Sequence, residues 1–278
     1  MKYLELKEDK MIKCEYCGKE YVENPSIHDA LPEYIKEKIK FIPSCNCSEK
    51  QREKEMEELE KKRLQECMMN RVKKYKDISV IDSKFLKSKF ENADMSEKHM
   101  ILARRYADNF LAKDKPIGML LYGNVGIGKT FATACIANYL MEKGKTVLVM
   151  NLALYLGKLR RDWDEAEQDV LKQVEKCDLL VIDDFGAEKG LDGNQTGWRA
   201  EKIYNLIDAR YRAEKPLIIS TNLNFDKDEK KCEITEKFSS QGKNRIRDRI
   251  IDMCFPVKIE GRSKRGVTTG EDFKNFMS

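Results

Sequence analysis

No stretch of the 278-residue sequence approaches the ~18 uninterrupted apolar residues of a bilayer-spanning helix, which excludes a membrane span of that kind. The opening Met1-Lys2-Tyr3-Leu4-Glu5-Leu6-Lys7 lacks the apolar core and small-residue cleavage site of a secretory leader. The expected place of work is therefore the cytoplasm, with no membrane partner. Internal repeats with a period of roughly 20 to 50 residues are also missing. What is present is charge. Charged residues make up 36% of the chain and apolar residues 41%, against a charged share of about 25% in an average soluble protein. The length suits roughly two domains at ~150 residues each.

The net charge is only +5, but it is unevenly placed. From Lys243 to Arg265 there are eight Lys/Arg against three Asp/Glu, an excess equal to that of the whole chain. Such a run is either a solvated basic face or a surface that meets phosphates. From Glu49 to Glu66, 13 of 18 residues are charged, both signs are mixed, and Gly and Pro are absent. That pattern predicts an exposed helix laced with i,i+4 pairs. Met56, Leu59 and Leu64 give it too thin an apolar stripe for a coiled coil.

Five of the nine cysteines stand alone, and the other four form two tight pairs, Cys14-x-x-Cys17 and Cys45-x-Cys47. Two chelating pairs of thiolates suit tetrahedral S₄ coordination, which favours Zn²⁺. Iron–sulfur ligation uses the same ligands, and four unrelated reduced thiols are the plain alternative. A redox C-x-x-C fits less well, because no βαβ pattern surrounds Cys14. His28, between the pairs, is expected to be exposed. The organisation predicted is a cysteine module over residues 1–48, a charged helix and looser link over 49–95, and an α/β domain over 96–278.

In that last part, helices alternate with continuous apolar runs: Ile117–Tyr122, Thr146–Met150, Leu179–Ile182, Leu217–Ser220 and a final Val257–Ile259. Continuous runs of this length, separated by helices, predict a parallel sheet covered on both faces. After the first strand comes Gly123-Asn124-Val125-Gly126-Ile127-Gly128-Lys129-Thr130, a complete G-x-x-x-x-G-K-[ST] followed by a helix-forming segment. Its glycines let backbone N–H groups converge on the phosphates of ATP, aided by the helix N-terminus. Lys129 would reach the β- and γ-phosphates, and the Thr130 hydroxyl would ligate Mg²⁺. Leu179–Ile182 then delivers Asp183 and Asp184 to the carboxyl edge of the sheet. There Asp183 could hold Mg²⁺ through water, and Asp184 could orient or deprotonate an attacking water.

The phosphate loop, Asp183-Asp184-Phe185-Gly186-Ala187-Glu188, Ser220-Thr221-Asn222 and Arg245-Ile246-Arg247-Asp248-Arg249 together resemble a specific family. It is the AAA+ ATPases that load bacterial replicative helicases, the DnaC/DnaI type, with the transposition ATPase IstB as a near relative. The resemblance runs from about Ser96 to Arg265. It implies an AAA+ P-loop NTPase domain, here preceded by the small zinc-binding module and charged helix. It implies that Asn222 is the sensor polarising water beside the γ-phosphate. It also implies that Arg249, or Arg245 one turn away, is a finger reaching a neighbouring subunit's ATP, and that Arg265 stands where the family has its second sensor. Lys158, Arg160 and Arg161, beside Tyr155 and Trp163, fall where this clade contacts single-stranded DNA, although a plain amphipathic helix explains the same residues. An amino-terminal zinc module that contacts the hexameric replicative helicase is also implied.

Two departures from the pattern have consequences. Many AAA+ proteins have Glu where this chain has Asp184, and the shorter side chain predicts slow hydrolysis. Leu223–Lys243 exceeds a tight connection, and is either an insertion with its own contacts or a floppy loop. The function expected is an ATP-dependent helicase loader of bacterial or phage origin that self-associates through its ATP site. Its rivals are an IstB-like transposition helper, a small-molecule kinase, and a non-catalytic nucleotide switch.

Overall fold

The computed structural model of the chain describes residues 12–79, 83–159, 165–187, 196–238, 244–261, 263 and 270–278. It divides into two compact units, Met1–Cys67 and Met68–Ser278.

In the first unit, β1 (Val22–Glu23) and β2 (Phe41–Ile42) pair antiparallel on either side of α1 (Glu33–Lys38). Then α2 runs from Cys47 to Ile78. Its charged part is exposed as the composition predicts, with Met56, Leu59 and Leu64 open to solvent. The helix continues well beyond that part, into the stretch before residue 95 where the looser link is expected. Val72 and Tyr75 are buried in the second unit, as are Phe85 and Phe90. Phe85 lies on α3 (Ser83–Lys87) and Phe90 on a 3₁₀ turn, Phe90–Asn92. Four apolar anchors spread over a mostly charged stretch give no clean helical period, so the pattern hides them.

The second unit alternates as expected: α4 (Lys98–Ala112), β3 (Gly118–Tyr122), α5 (Lys129–Glu142), β4 (Val147–Asn151), α6 (Leu152–Leu159), α7 (Glu165–Lys176), β5 (Leu179–Phe185), α8 (Thr196–Arg212), β6 (Leu217–Thr221), α9 (Glu233–Phe238), α10 (Arg245–Met253), β7 (Cys254–Lys258) and α11 (Gly270–Met277). The five strands lie in the order β4-β5-β6-β3-β7, all parallel. Because side chains alternate along a strand, Leu148, Met150, Leu180 and Ile182 enter one buried cluster. Val147, Val149, Leu179 and Val181 enter the other. Both faces are covered, which is why these strands read as continuous apolar runs. The final strand spans Cys254–Lys258, three residues ahead of the expected start, because Pro256 sits at a sheet edge where its missing N–H costs nothing.

Arg210 of α8 is fully buried. Its Nε donates to the Pro216 carbonyl at 3.0 Å, Nη1 to Val174 and Cys177 at 2.8 and 2.9 Å, and Nη2 to Asp178 and Pro216 at 2.8 and 2.7 Å. Burial works against its charge, and the carbonyl dipoles compensate, pinning α8 to the ends of α7 and to the entries of β5 and β6. Lysine keeps the charge but loses the planar fork. Arg210→Lys is therefore expected to destabilise the fold by about 2–4 kcal/mol, leaving buried carbonyls unsatisfied. Urea unfolding followed by circular dichroism measures it, and an unchanged midpoint would contradict this role.

Candidate nucleotide site and cysteine cluster

Residues 123–130 bend from the end of β3 into α5. Gly123 has φ +141°, and a Cβ there would lie 2.3 Å from the Ile259 carbonyl oxygen. Gly128 has φ +99° and caps α5; its missing Cβ would stand 3.1 Å from Nε2 of His99. Only glycine fits either place.

Lys129 is buried, and its ammonium donates to the carbonyls of Gly123 at 2.8 Å and Asn124 at 2.7 Å, and to Asn222 Oδ1 at 2.7 Å. All three protons are thus engaged. The contact joins the phosphate loop to the carboxyl end of β6, two elements 93 residues apart in sequence. Thr130 Oγ1 donates to Asp183 Oδ1 at 3.0 Å. Asp183 is itself buried, and burial pushes its carboxyl above the usual carboxylate range, while hydrogen bonds from Ser220 and Thr130 favour the ionised form. Asp184 is half-buried, with its backbone in the left-handed region at φ +53°. The loop, Lys129, Thr130, Asp183, Asp184 and Asn222 therefore meet at one edge of the sheet. A hydroxyl and a carboxylate 3.0 Å apart beside a phosphate-binding loop are a donor set that suits Mg²⁺.

The α10 arginines part ways. Arg245 is exposed. Arg249 lies 22% exposed against its own α8: Nη2 is 2.5 Å from Asp208 Oδ1, and its guanidinium stands 4.5 Å from the Tyr204 ring centre and 5.4 Å from that of Tyr211. Arg265, Arg160, Arg161 and Trp163 lie outside the described residues, as does the side chain of Lys158. Tyr155 is core, 2% exposed on α6, so for this residue the plain amphipathic helix is the one of the two readings that holds.

The long segment after Asn222 has contacts of its own as far as Phe238. Phe238 packs on Phe185 at 4.6 Å between ring centres, and Lys237 donates to the Gly186 carbonyl. Buried Arg247 donates to the carbonyls of Asp226 and Lys227 at 3.2 and 2.8 Å. Of the two readings of Leu223–Lys243, the described part takes that of an insertion with its own contacts. His99 beside Gly128, and Asp208 beneath Arg249, carry no sequence signal, since each acts across the fold.

In the first unit the sulfurs of Cys14, Cys17, Cys45 and Cys47 all lie within 4.8 Å of one another. A tetrahedral site with ~2.3 Å Zn–S bonds has sulfurs ~3.8 Å apart, so the set fits a metal without rearranging the chain. Gly18, at φ +70°, closes the knuckle by donating to the Cys14 carbonyl at 2.9 Å. The thiols feel both the backbone and one another: the backbone N–H groups of Tyr16 and Cys17 pull the Cys14 thiol down to about 7, whereas the Cys17 and Cys45 sulfurs push the Cys47 thiol up to about 12. A cation at the centre would relieve that. His28 is exposed, as expected.

A parallel sheet with a glycine-rich phosphate loop, a paired Thr130–Asp183 and a polar residue reaching Lys129 from the adjacent strand is an ATP-binding P-loop domain of the AAA+ class. A family model described as IstB-like ATP binding protein matches residues 47–271. The chain belongs to that family. It is 28% identical over 197 residues to the replicative helicase loader DnaI of Bacillus subtilis (strain 168), covering 66% of this chain and 60% of that protein. To the replicative helicase loader DnaC of Escherichia coli (strain K12) it is 30% identical over 177 residues, covering 62% of this chain and 64% of that protein. The matches thus span less than two thirds of these relatives' length. The crystal structure of DnaI shares the fold with a TM-score of 0.52 at 23% identity, over 67% of this chain and 95% of that one. The crystal structure of the DnaC helicase loader gives 0.52 at 22% identity, over 64% and 100%. Among the described residues, no helix is long and apolar enough to cross a membrane.

Proposed function

We propose that the chain is an ATP-dependent loader, bacterial or phage, that binds the hexameric replicative DNA helicase in the cytoplasm and delivers it to single-stranded DNA when replication starts. The observation that carries this reading is the Lys129–Asn222 contact, which joins phosphate loop and sensor position in a chain homologous to helicase loaders. Gly123 to Thr130 would wrap the triphosphate, with Lys129 exchanging its carbonyl partners for phosphate oxygens. Mg²⁺, held by Thr130 and through water by Asp183, would neutralise the charge developing there. Asp184 would orient the attacking water and Asn222 polarise it beside the γ-phosphate, with Arg265 as a second sensor. An α10 arginine of a neighbouring copy would complete the site; Arg245 is already exposed, whereas Arg249 must first leave Asp208.

Zn²⁺ on Cys14, Cys17, Cys45 and Cys47 would fix the module that, with the charged helix, grips the helicase. Lys158, Arg160 and Arg161 would track DNA phosphates. Purified protein is expected to carry about one zinc per chain, and its removal by a chelator to speed proteolysis within residues 12–46 while the second unit stays resistant. Atomic absorption and mass mapping of the fragments check this; a metal-free module equally resistant to protease would contradict it.

The loader reading is tested by capturing the helicase of the same cell on the immobilised chain with ATP and zinc present. Retention of the hexamer supports it, and none refutes it. The match to an IstB-like family model supports an IstB-like transposition helper as the second reading, which preference for duplex over single-stranded DNA would favour.

A further inference from the structure

The pairing of β5 with β6 shifts in the middle of the site. Ile182 faces Ile219 and Phe185 faces Thr221, so Asp183 and Asp184 together lie opposite the single residue Ser220. Two residues against one is a β-bulge, a device that bends a strand and re-aims its side chains. Ser220 is fully buried, and its hydroxyl bonds both acids of the bulge. It donates its only proton to Asp183 Oδ1 and accepts the N–H of Asp184 at 3.2 Å. The second bond holds Asp184 at φ +53°, a conformation that residues with a side chain rarely adopt. The first fixes the carboxylate that Thr130 also bonds, at 3.0 Å.

We propose that Ser220 is a positioning residue for the nucleotide site: one hydroxyl sets the bulge and thereby aims both Asp183 and Asp184. With its proton given to Asp183 and its oxygen accepting from Asp184, the hydroxyl would act through the two acids rather than on nucleotide or metal directly. The proposal rests on the ATPase reading of this site. Without the hydroxyl, Asp183 loses one of the two bonds on Oδ1, and the left-handed turn at Asp184 loses its anchor. The damage should fall on metal recruitment and on water placement, because the phosphate loop and Lys129 lie on other elements.

The test compares the full chain with Ser220→Ala, which removes one oxygen, and Ser220→Thr, which keeps the hydroxyl. In nucleotide-free protein, amide exchange at Asp184 should quicken about tenfold or more in Ser220→Ala, since exchange reports the free energy of local opening. The magnesium needed for half-maximal binding of a non-hydrolysable ATP analogue should rise about tenfold, the equivalent of one lost charge-assisted bond. In turnover kcat should fall while KM for ATP stays within about twofold, the mark of an interaction made in the transition state. Ser220→Thr should stay near wild type in all three. Exchange and magnesium requirement both unchanged in Ser220→Ala, even with a lower melting temperature, would overturn the proposal, and so would Ser220→Thr behaving like Ser220→Ala. If wild-type protein binds no nucleotide, the ATPase reading fails, while the exchange measurement still decides whether Ser220 sets the bulge.

Discussion

Arg249→Ala is expected to lower the ATPase rate of the assembled protein by about 10³- to 10⁵-fold, the usual effect of losing an arginine finger. The fold complicates the reading, because Arg249 also docks α10 onto α8 through Asp208 and two tyrosine rings. Loss of activity alone would therefore not separate a finger from a brace. Asp208→Ala does. It breaks the same ion pair, together with the exposed one from Arg212 to Asp208, and so also weakens the fold, but it leaves the guanidinium free to reach a neighbour. It should retain most of the activity. Equal loss of rate in both variants would make Arg249 a brace and hand the role to Arg245, which is exposed one turn earlier. In either case, ATPase activity per subunit should fall on dilution, because each site would depend on its neighbour; a constant value would point to a self-contained kinase-like site.

Lys129→Ala is expected to weaken ATP·Mg²⁺ binding by about 10²- to 10⁴-fold, on the basis of two charge-assisted bonds to phosphate oxygens. The effect on the empty protein should be smaller and in the same direction. The ammonium bonds the carbonyls of Gly123 and Asn124 and the amide of Asn222, so its removal releases the loop and leaves the Asn222 side chain without this bond. Fluorescent-analogue titration gives the first effect and thermal unfolding the second. Binding within threefold of wild type would remove Lys129 from the phosphate site.

The geometry of the candidate site was legible wherever it is local. An eight-residue loop specifies its own backbone through glycine and its own charge through Lys129, so the string alone locates it. Asp183 follows because an apolar strand must end at the edge of a parallel sheet. What the string does not carry is register. That Ser220 faces two acids depends on how β5 slides against β6, and that Arg249 meets Asp208 depends on two helices docking. Both are decided by packing between segments far apart in sequence. Tyr155 shows the same limit, because an aromatic among basic residues fits a DNA contact and a plain amphipathic helix equally well until the helix is seen to bury it. The helix running to Ile78 escaped for a related reason: Val72, Tyr75, Phe85 and Phe90 become core only when the rest of their own unit folds around them.

The central claim is that the turn between β3 and α5 binds a nucleoside triphosphate with magnesium. Titrating a non-hydrolysable ATP analogue into the purified full chain in a calorimeter tests it most directly. Saturation at about one nucleotide per chain, weakened when magnesium is withheld and abolished in Lys129→Ala, is the expected result. No heat at any nucleotide concentration, with the protein shown to be folded, would contradict it.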